Sequence, residues 1–257
     1  MIHRRTHHLT YLQFPHLSEY ADIRHGIFTR QGGFSKGSYQ GLNVGMGNGD
    51  NAEHVLQNRA AISGCMGHSE LVFANQVHGT TIIKHSGFSA CGNTHAMRKA
   101  GTGDAMITDA PGQSLVIQTA DCQAVLIYDP DQKAVANIHS GWRGSIQNII
   151  GLTVQAMIKE FGSDPKNLLA GIGPSLGPCC AEFIHYRTVI PKAFWSYKNS
   201  ADCFDFWAMS QDQLTGAGIS GNNIISSNLC TRCRTDLFYS YRKEKSTGRF
   251  AAVIGII

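Results

Sequence analysis

The stretch "SLVIQTADCQAVLIYDPDQKAVANIHSGWRG", residues 114–144, determines the fold that we expect for this chain. Residues 114–130 are apolar and β-branched on both sides of a polar interruption, and residues 131–139 follow across a Pro-Asp turn. Together the two segments predict a β-hairpin that turns at about residues 129 to 132. The second strand of this hairpin would end at a histidine, directly before a glycine-rich junction.

The segment after the hairpin predicts an amphipathic helix. Apolar residues at three- and four-residue spacing would line one face of this helix, namely Ile146, Ile149, Ile150, Val154, Met157, Ile158 and Phe161. Gly162 and Pro165 are expected to end it. The segment "HSGWRG", 139–144, is therefore predicted to be a strand-to-helix junction. The free N–H groups at a helix start favour a polar or anionic ligand there.

Other segments complete a mixed α/β pattern. We expect helices near 52–62 and 211–218, a buried C-terminal strand at 248–257, and a long surface loop at 85–103. The glycine-rich runs 45–50 and 171–177 match neither the dinucleotide-binding fingerprint nor the P-loop, and we interpret them as turns. Because the chain contains no internal repeat and no Pro/Ser-rich linker, we expect a single domain over residues 1–257.

Composition excludes several classes of protein. The 257 residues are 42% hydrophobic and 16% charged, which is typical of a compact globular protein. The net charge is only +4 and the basic residues are scattered, so nucleic-acid binding is not favoured. No apolar run is long enough for a membrane span or for the core of a secretory signal, and we expect a cytoplasmic protein without a membrane partner.

Three residues are candidates for one metal site. His139 ends the second hairpin strand, Cys122 interrupts the first, and His78 lies in "NQVHG" before an alternating apolar segment. The hairpin would place Cys122 and His139 roughly opposite each other. Imidazole and thiolate suit zinc, and three protein ligands leave a fourth position for water or substrate. The spacing alone also permits ordinary roles, a hydrogen-bonding histidine and a buried cysteine.

The remaining cysteines give a weaker signal. Eight cysteines in a chain of this length are too few for a disulfide scaffold. "CTRC", 230–233, has Cys-x-x-Cys spacing, but a structural zinc site needs a second pair, and the adjacent Cys179 and Cys180 do not have the spacing of a zinc knuckle. We therefore expect no metal at Cys230 and Cys233. Three further cysteines carry no local signal, namely Cys65, Cys91 and Cys203.

These motifs, in this order, resemble those of the laccase-domain family, also called multicopper polyphenol oxidase-like, whose members are described as zinc-dependent purine nucleoside phosphorylases and include peptidoglycan editing factor. The resemblance spans nearly the whole chain and rests on "HGIFTRQGGFS", "LNVG", "NQVHG", "TADCQAVLI", "HSGWRG", "GIGPSLGPCC" and a late "CT…D…FYSYR…TGR". It implies a layered α/β (α+β) sandwich of mixed sheets flanked by helices, similar to the catalytic domain of cytotoxic necrotizing factor.

The resemblance also implies a site and an activity. His78, Cys122 and His139 match the family's zinc ligands, which would also make them the catalytic residues. The implied reaction is phosphorolysis of adenosine, inosine, guanosine and methylthioadenosine, with adenosine deamination as a side activity. Small-molecule substrates, a purine nucleoside and phosphate, would then be the partners. Zinc is the expected metal, ahead of copper.

Five polar residues are candidates for contact with substrate. Arg59 and Arg143 would hold phosphate as forked donors, although an exposed helical arginine often has no specific role. Asn43 and Gln76 would contact polar edges of ribose or base. Asp121, beside Cys122, would orient the ligand or carry a proton, or it would cap a local turn.

Other activities remain open at this stage. Cys122 with His139 as its base would make a metal-free amidase. Copper-dependent polyphenol oxidation is disfavoured because the chain has no His-x-His pair. Editing of wrongly built cell-wall precursors is implied only by named members of the resembling family. The sequence does not indicate the oligomeric state.

Overall fold

The computed structural model describes residues 1–6, 8–87 and 97–257. Thirteen β-strands lie in these residues, β1 Ile2–Thr6, β2 Leu9–Gln13, β3 Ile23–Phe28, β4 Glu70–Asn75, β5 Ile82–Lys84, β6 Arg98–Thr102, β7 Ala105–Thr108, β8 Gln113–Thr119, β9 Gln123–Asp129, β10 Ala134–Ser140, β11 Leu169–Ile172, β12 Ile224–Ser226 and β13 Phe250–Ile256. The same residues form six α-helices, α1 Ala52–Cys65, α2 Trp142–Ile146, α3 Ile149–Phe161, α4 Tyr186–Val189, α5 Phe206–Gly216 and α6 Tyr241–Glu244.

The strands form two mixed β-sheets. The first has seven strands in the order β1-β2-β3-β13-β8-β4-β6, and the second has six in the order β12-β11-β9-β10-β7-β5. Both sheets combine antiparallel pairs with parallel ones, such as β4 with β8 and β5 with β7. This architecture confirms the predicted mixed α/β fold.

The core lies between the two sheets and between each sheet and its helices. One cluster joins buried residues of both sheets, such as Ile117 and Leu126, so the sheets pack face to face. The outer face of the second sheet is covered by α3 and α5, and that of the first by α1. Strand β10 is buried along its whole length because both of its faces are covered. The result is a helix–sheet–sheet–helix sandwich, in which the central strands are held from both sides.

The predicted hairpin is confirmed in part. β9 and β10 pair antiparallel, with Asp129 opposite Ala134 and Gln123 opposite Ser140. The prediction that residues 114–130 form one arm of the hairpin is wrong, because β8 and β9 belong to different sheets. The chain crosses between the sheets at residues 120–122, where Asp121 has a left-handed φ of 91°. The polar interruption at residues 119–123 marks this crossing, but local sequence does not show that the two apolar segments on either side belong to different sheets.

The predicted helix after the junction is divided. α2 has five residues and α3 has thirteen, and Asn148, with φ of 58°, separates them. Gly162, with φ of 73°, ends α3 as expected. The junction itself is confirmed, since α2 begins directly after Gly141. The expectation of a polar or anionic ligand at the start of this short helix stays a prediction.

The other elements follow the predictions with one exception. Helices α1 and α5 and strand β13 form where the sequence predicts them. Residues 98–102, which we predicted to lie in a surface loop, form β6 and pair with β4. Residues 88–96 of that predicted loop, with Cys91, lie outside the described residues. No helix in the described part of the chain is long and apolar enough to cross a bilayer.

Candidate metal centre and active-site cleft

The two histidines of the candidate site are held by one buried carboxylate. Asp104 lies between β6 and β7 and is completely buried. Since Ala105 pairs with Ile138 of β10, Asp104 lies beside His139, and its Oδ1 accepts a hydrogen bond from His139 Nδ1 at 2.8 Å. With the proton on Nδ1, the Nε2 lone pair of His139 is available to a metal ion.

The same carboxylate fixes the loop that carries His78. The backbone N–H groups of His78 and Gly79 donate to the Asp104 carboxylate at 2.8 and 2.7 Å, and that of Val77 at 3.2 Å. These bonds hold His78 in a left-handed conformation, φ 61°. Burial alone would raise the pKa of Asp104, but the hydrogen bonds from His139 and the loop hold that pKa below its ordinary value. The carboxylate therefore stays ionised.

Cys122 completes the group from the crossing between the sheets. It directly precedes β9, and in the β9–β10 pairing Ala124, two residues further on, lies opposite His139. The Cys122 sulfur is 3.8 Å from His78 Nε2. One potential ligand atom from each of His78, Cys122 and His139 lies within 4.8 Å of the others. Three donors at this spacing fit around a single zinc ion with an open fourth position.

A glycine beside these donors indicates that the group is closely built. A Cβ atom on Gly141 would lie 2.9 Å from His78 Cδ2 and 3.1 Å from the Cys122 sulfur. Any side chain at position 141 would therefore displace two of the three donors. This contact explains why the strand that carries His139 is followed at once by glycine.

The protonation states of the metal-free protein suit metal binding. Burial would raise the pKa of the Cys122 thiol, but the charge on His139 and hydrogen bonds from both histidines lower that pKa to about 6. Burial would lower the pKa of His139, but the Cys122 thiolate and the Asp104 carboxylate raise that pKa to about 9. At neutral pH the two groups form a thiolate–imidazolium pair, so a metal ion meets a deprotonated sulfur and displaces one proton from His139.

The three donors open into a cleft of about 720 Å³. Its wall includes aromatic and polar side chains, namely Trp142, Phe183, Phe206, Asn48, Gln118, Tyr241, Arg242 and Arg249. Arg242 Nη1 donates to the carbonyls of Cys180 and Glu182, and Arg249 Nη1 to those of Thr247 and Gly248. In the hydrogen bonds of the described residues, each guanidinium engages only Nη1, so the other nitrogens are available to a bound anion.

Two of the predicted substrate contacts lie behind the wall of the cleft. Asn43 is fully buried; its amide donates to Asp50 at 2.7 Å and accepts from the N–H of Arg249 at 2.8 Å. Arg59 donates twice to the carbonyl of Val44, at 2.6 and 2.9 Å, and burial lowers its pKa to about 10. Neither is among the described residues that line the cleft. Both shape the loop at 44–48 from behind.

Of the other three predicted contacts, two line the cleft and one lies outside its described lining. Gln76 and Asp121 line the cleft, but the Gln76 amide is bonded at both ends to the backbone of Gln118 at 2.9 Å. Asp121 accepts from the Thr231 hydroxyl at 2.7 Å and from the Arg242 N–H at 2.6 Å, so it joins segments 110 and 121 residues away along the chain and does not cap a local turn. Arg143 is exposed on α2 and lies outside the described lining of the cleft.

Sequence reasoning missed Asp104, Arg242 and Arg249. Nothing local marks Asp104, because its role depends on the pairing of β7 with β10. Arg242 and Arg249 lie in the late motifs "FYSYR" and "TGR", which contributed to the family resemblance. Those motifs were a usable signal, since two of the segments that carry the resemblance each end in an arginine.

The reasoning also missed a second group of cysteines. Sulfur atoms of Cys179, Cys180, Cys230 and Cys233 all lie within 4.8 Å of one another. The expectation that "CTRC" lacks a second pair is therefore wrong. Knuckle spacing describes two ligands on one tight turn, whereas here the second pair consists of adjacent residues in a different loop.

Comparisons with known proteins agree with this fold. A family model described as "Multi-copper polyphenol oxidoreductase laccase" matches residues 24–257. A Bacteroides thetaiotaomicron protein named purine nucleoside phosphorylase is 34% identical over 250 residues, which cover 90% of each chain. The Escherichia coli protein named purine nucleoside phosphorylase YfiH is 32% identical over 237 residues, covering 89% of this chain and 92% of that one.

Solved structures show the same architecture. A hypothetical protein YfiH from Bacillus licheniformis has a TM-score of 0.84 and 27% identity, and 99% of each chain is covered. YlmD from Geobacillus stearothermophilus has a TM-score of 0.83 and 26% identity over 98% of this chain and 97% of that one. From the matched family model and these relatives, the chain belongs to the multi-copper polyphenol oxidoreductase laccase family.

Proposed function

We propose that the chain is a zinc-dependent purine nucleoside phosphorylase that cleaves adenosine, inosine, guanosine and methylthioadenosine. The observation that carries the proposal is the convergence of His78, Cys122 and His139 at a cleft that also contains two arginines. The relatives named purine nucleoside phosphorylase support it. Adenosine deamination is proposed as a side activity of the same cleft.

The donor set suits zinc with an open fourth position, because imidazole and thiolate are both zinc ligands. The same set also occurs in mononuclear copper sites, so our choice of zinc over copper rests on the absence of the His-x-His pairs of oxygen-reducing copper enzymes. When bound, zinc would supply Lewis acidity at the floor of the cleft, including the capacity to activate water for deamination. Asp104 would orient His139 and keep the His78 loop in place, as carboxylates behind zinc-bound histidines do.

The cleft has the size and the chemistry for a nucleoside and a phosphate. Its volume of about 720 Å³ lies in the range usual for small-molecule sites. The rings of Trp142, Phe183 and Phe206 offer apolar faces on which a purine can stack. Arg242 and Arg249 can hold phosphate through the guanidinium nitrogens that make no hydrogen bond within the described residues.

Both reactions follow from this placement. In phosphorolysis a phosphate oxygen bonds to ribose C1′ while the bond from C1′ to purine N9 breaks, and the purine leaves with the bonding electrons and takes up a proton. The arginines would position the phosphate, so that its attack becomes effectively intramolecular. In deamination water adds to purine C6 and ammonia leaves.

The test is a substrate panel assayed with and without phosphate. The panel contains inosine, adenosine, guanosine, methylthioadenosine and a serine-bearing muropeptide. We expect release of base from the nucleosides to require phosphate and to fall at least about 100-fold in Cys122→Ala, because one of three metal ligands is lost. Cys65→Ala is the matched control. Cys65 is a half-buried thiol on α1 that belongs neither to the candidate metal centre nor to the group of four cysteines.

Three outcomes would overturn the proposal. Base release that is independent of phosphate or unchanged in Cys122→Ala would exclude phosphorolysis at this centre. Turnover of the muropeptide alone would assign the cleft to cell-wall editing. Oxidation of a phenolic substrate by copper-loaded protein, without nucleoside cleavage, would instead favour the oxidase activity in the family's name.

One observation favours a second candidate, a metal-free amidase. Cys122, His139 and Asp104 form a thiolate–imidazole–carboxylate series of the kind used in nucleophilic catalysis. In that case Cys122 should react with iodoacetamide equally with and without zinc, and His78→Ala should retain activity. Protection of Cys122 by zinc and loss of activity in His78→Ala would exclude the amidase.

A further inference from the structure

Two loops that are far apart in the sequence bring four thiols together. Cys179 and Cys180 lie in the loop after β11, and Cys230 and Cys233 lie in the loop after β12. The seven cysteines of the described residues are all free thiols. Four of these seven meet at one place, with their sulfur atoms within 4.8 Å of one another. We call these four residues the cysteine cluster.

The spacing of the sulfurs matches a single tetrahedral ion. With a zinc–sulfur bond of about 2.3 Å, the edge of a regular sulfur tetrahedron is about 3.8 Å. The Cys233 sulfur lies 3.7 Å from that of Cys179 and 3.6 Å from that of Cys180. A site with four thiolates is coordinatively closed, as structural zinc sites are.

The cluster is only partly buried, and a positively charged side chain lies beside it. Cys180 and Cys230 are buried, but Cys179 and Cys233 are exposed, so apolar packing does not explain the group. Arg232 Nη1 donates to the Cys180 sulfur at 3.4 Å. A tetrathiolate–zinc unit has a net charge of −2, and a neighbouring guanidinium stabilises such a charge.

The two loops of the cluster also form part of the cleft. The Ser175 N–H donates to the Leu229 carbonyl at 3.2 Å, and the Thr231 N–H donates to the Ser175 carbonyl at 3.0 Å. The Thr231 hydroxyl reaches Asp121, next to the ligand Cys122. Cross-linking the loops would therefore fix one wall of the cleft.

We propose that Cys179, Cys180, Cys230 and Cys233 bind a second, structural zinc ion that joins these two loops. On binding, each thiol gives up its proton to the solvent and its sulfur donates an electron pair to the metal, so no oxidant is needed. This site does not depend on the proposed nucleoside chemistry. Its loss would loosen the wall of the cleft that contains Ser175 and Leu176.

The test counts zinc in purified, reduced protein that has been dialysed against excess Zn²⁺ and then against metal-free buffer. We expect about two equivalents per chain in the natural protein and about one in Cys122→Ala. The double variant Cys230→Ser/Cys233→Ser should also bind about one equivalent. Cys65→Ser, the control, should keep the count of the natural protein.

A second measurement does not depend on the folding of the double variant. X-ray absorption at the zinc edge of Cys122→Ala, in which the cluster is intact, should show zinc bound by sulfur alone. Zinc with nitrogen ligands in that variant, or no zinc at all, would overturn the proposal. So would an unchanged zinc count in a folded double variant, or disulfides among the four cysteines in place of metal.

Discussion

A single buried carboxylate organises both histidines of the metal centre. Asp104 accepts the Nδ1 proton of His139 and three backbone N–H groups of the loop that carries His78. It thereby sets which nitrogen of His139 faces the metal and where His78 points. Asp104 has no proposed contact with substrate, yet the arrangement of the ligands depends on its charge.

We predict that Asp104→Asn weakens zinc binding about 10- to 100-fold. An amide keeps one acceptor for His139 but replaces the other oxygen by a donor, which opposes the N–H of Gly79. Competition with a chromophoric chelator measures the affinity. Asp129→Asn is the control, because Asp129 is also buried but only caps the turn between β9 and β10. The cysteine cluster is the same in all proteins compared. Equal affinity in the natural protein and Asp104→Asn would contradict the prediction.

Cys122 is predicted to be an unusually acidic thiol in the metal-free protein. Its pKa of about 6 lies below the ordinary value of 9.0 because the positive charge on His139 outweighs burial. The thiolate is the reactive form, so alkylation should rise as pH increases through about 6 and level off above it.

Peptide mass spectrometry after iodoacetamide treatment of chelator-treated protein measures this rate at Cys122 alone. His139→Gln removes the positive charge, so the midpoint should move up towards the ordinary thiol pKa. Cys65, whose pKa burial raises, is an internal reference. A midpoint that stays in place in His139→Gln would show that this charge does not set the acidity.

At the scale of elements, the sequence predicted what depends on neighbours along the chain. The β9–β10 hairpin follows from its two apolar segments and the Pro-Asp turn between them, and helices α1 and α5 follow from local sequence. The hairpin alone brings Cys122 and His139 near each other, which is why the sequence could already suggest that these two residues share a site. The crossing at Asp121, the strand β6 and the cysteine cluster depend on contacts between distant segments. Local patterns do not record such contacts.

The break between α2 and α3 gives a prediction at this scale. Asn148 adopts a left-handed conformation and its side chain caps α3 by accepting from the Gly151 N–H at 3.1 Å. Asn148→Ala loses the cap and strains the backbone, and we expect a loss of about 2 kcal/mol of stability. This corresponds to a fall of several degrees in Tm. Asn148→Gly relieves the strain and loses only the cap, so its Tm should lie between that of the natural protein and that of Asn148→Ala. Equal Tm values in a calorimetric series would refute this account.

The whole molecule brings together cleft residues that lie far apart in the chain. Four segments contribute to the wall of the cleft, namely loop 45–48, residues 118–123 around the crossing, loop 175–183 and residues 241–249. Motifs predicted the three residues that the structure brings together as candidate metal ligands, because each lies in a distinctive short segment. The arginines that face the cleft could not be chosen in the same way, since exposure and orientation depend on the packing of both sheets. Arg59 is predicted from the sequence to hold phosphate, but in the structure its donors bind the carbonyl of Val44.

Under the proposed function, kinetics can show which arginine binds phosphate. Arg249 lines the cleft, whereas Arg143 is exposed on α2 outside it. Loss of a charge-assisted hydrogen bond costs about 1.5 to 3 kcal/mol, so Arg249→Met should raise the KM for phosphate about 10- to 100-fold. The KM for inosine should change much less, because in the proposed function the base stacks on the aromatic wall and not on Arg249. Arg143→Met should leave both constants near those of the natural protein. Steady-state phosphorolysis at varied phosphate concentration measures these constants. If the phosphate KM rises in Arg143→Met alone, the short helix α2 binds the anion and the wall of the cleft does not.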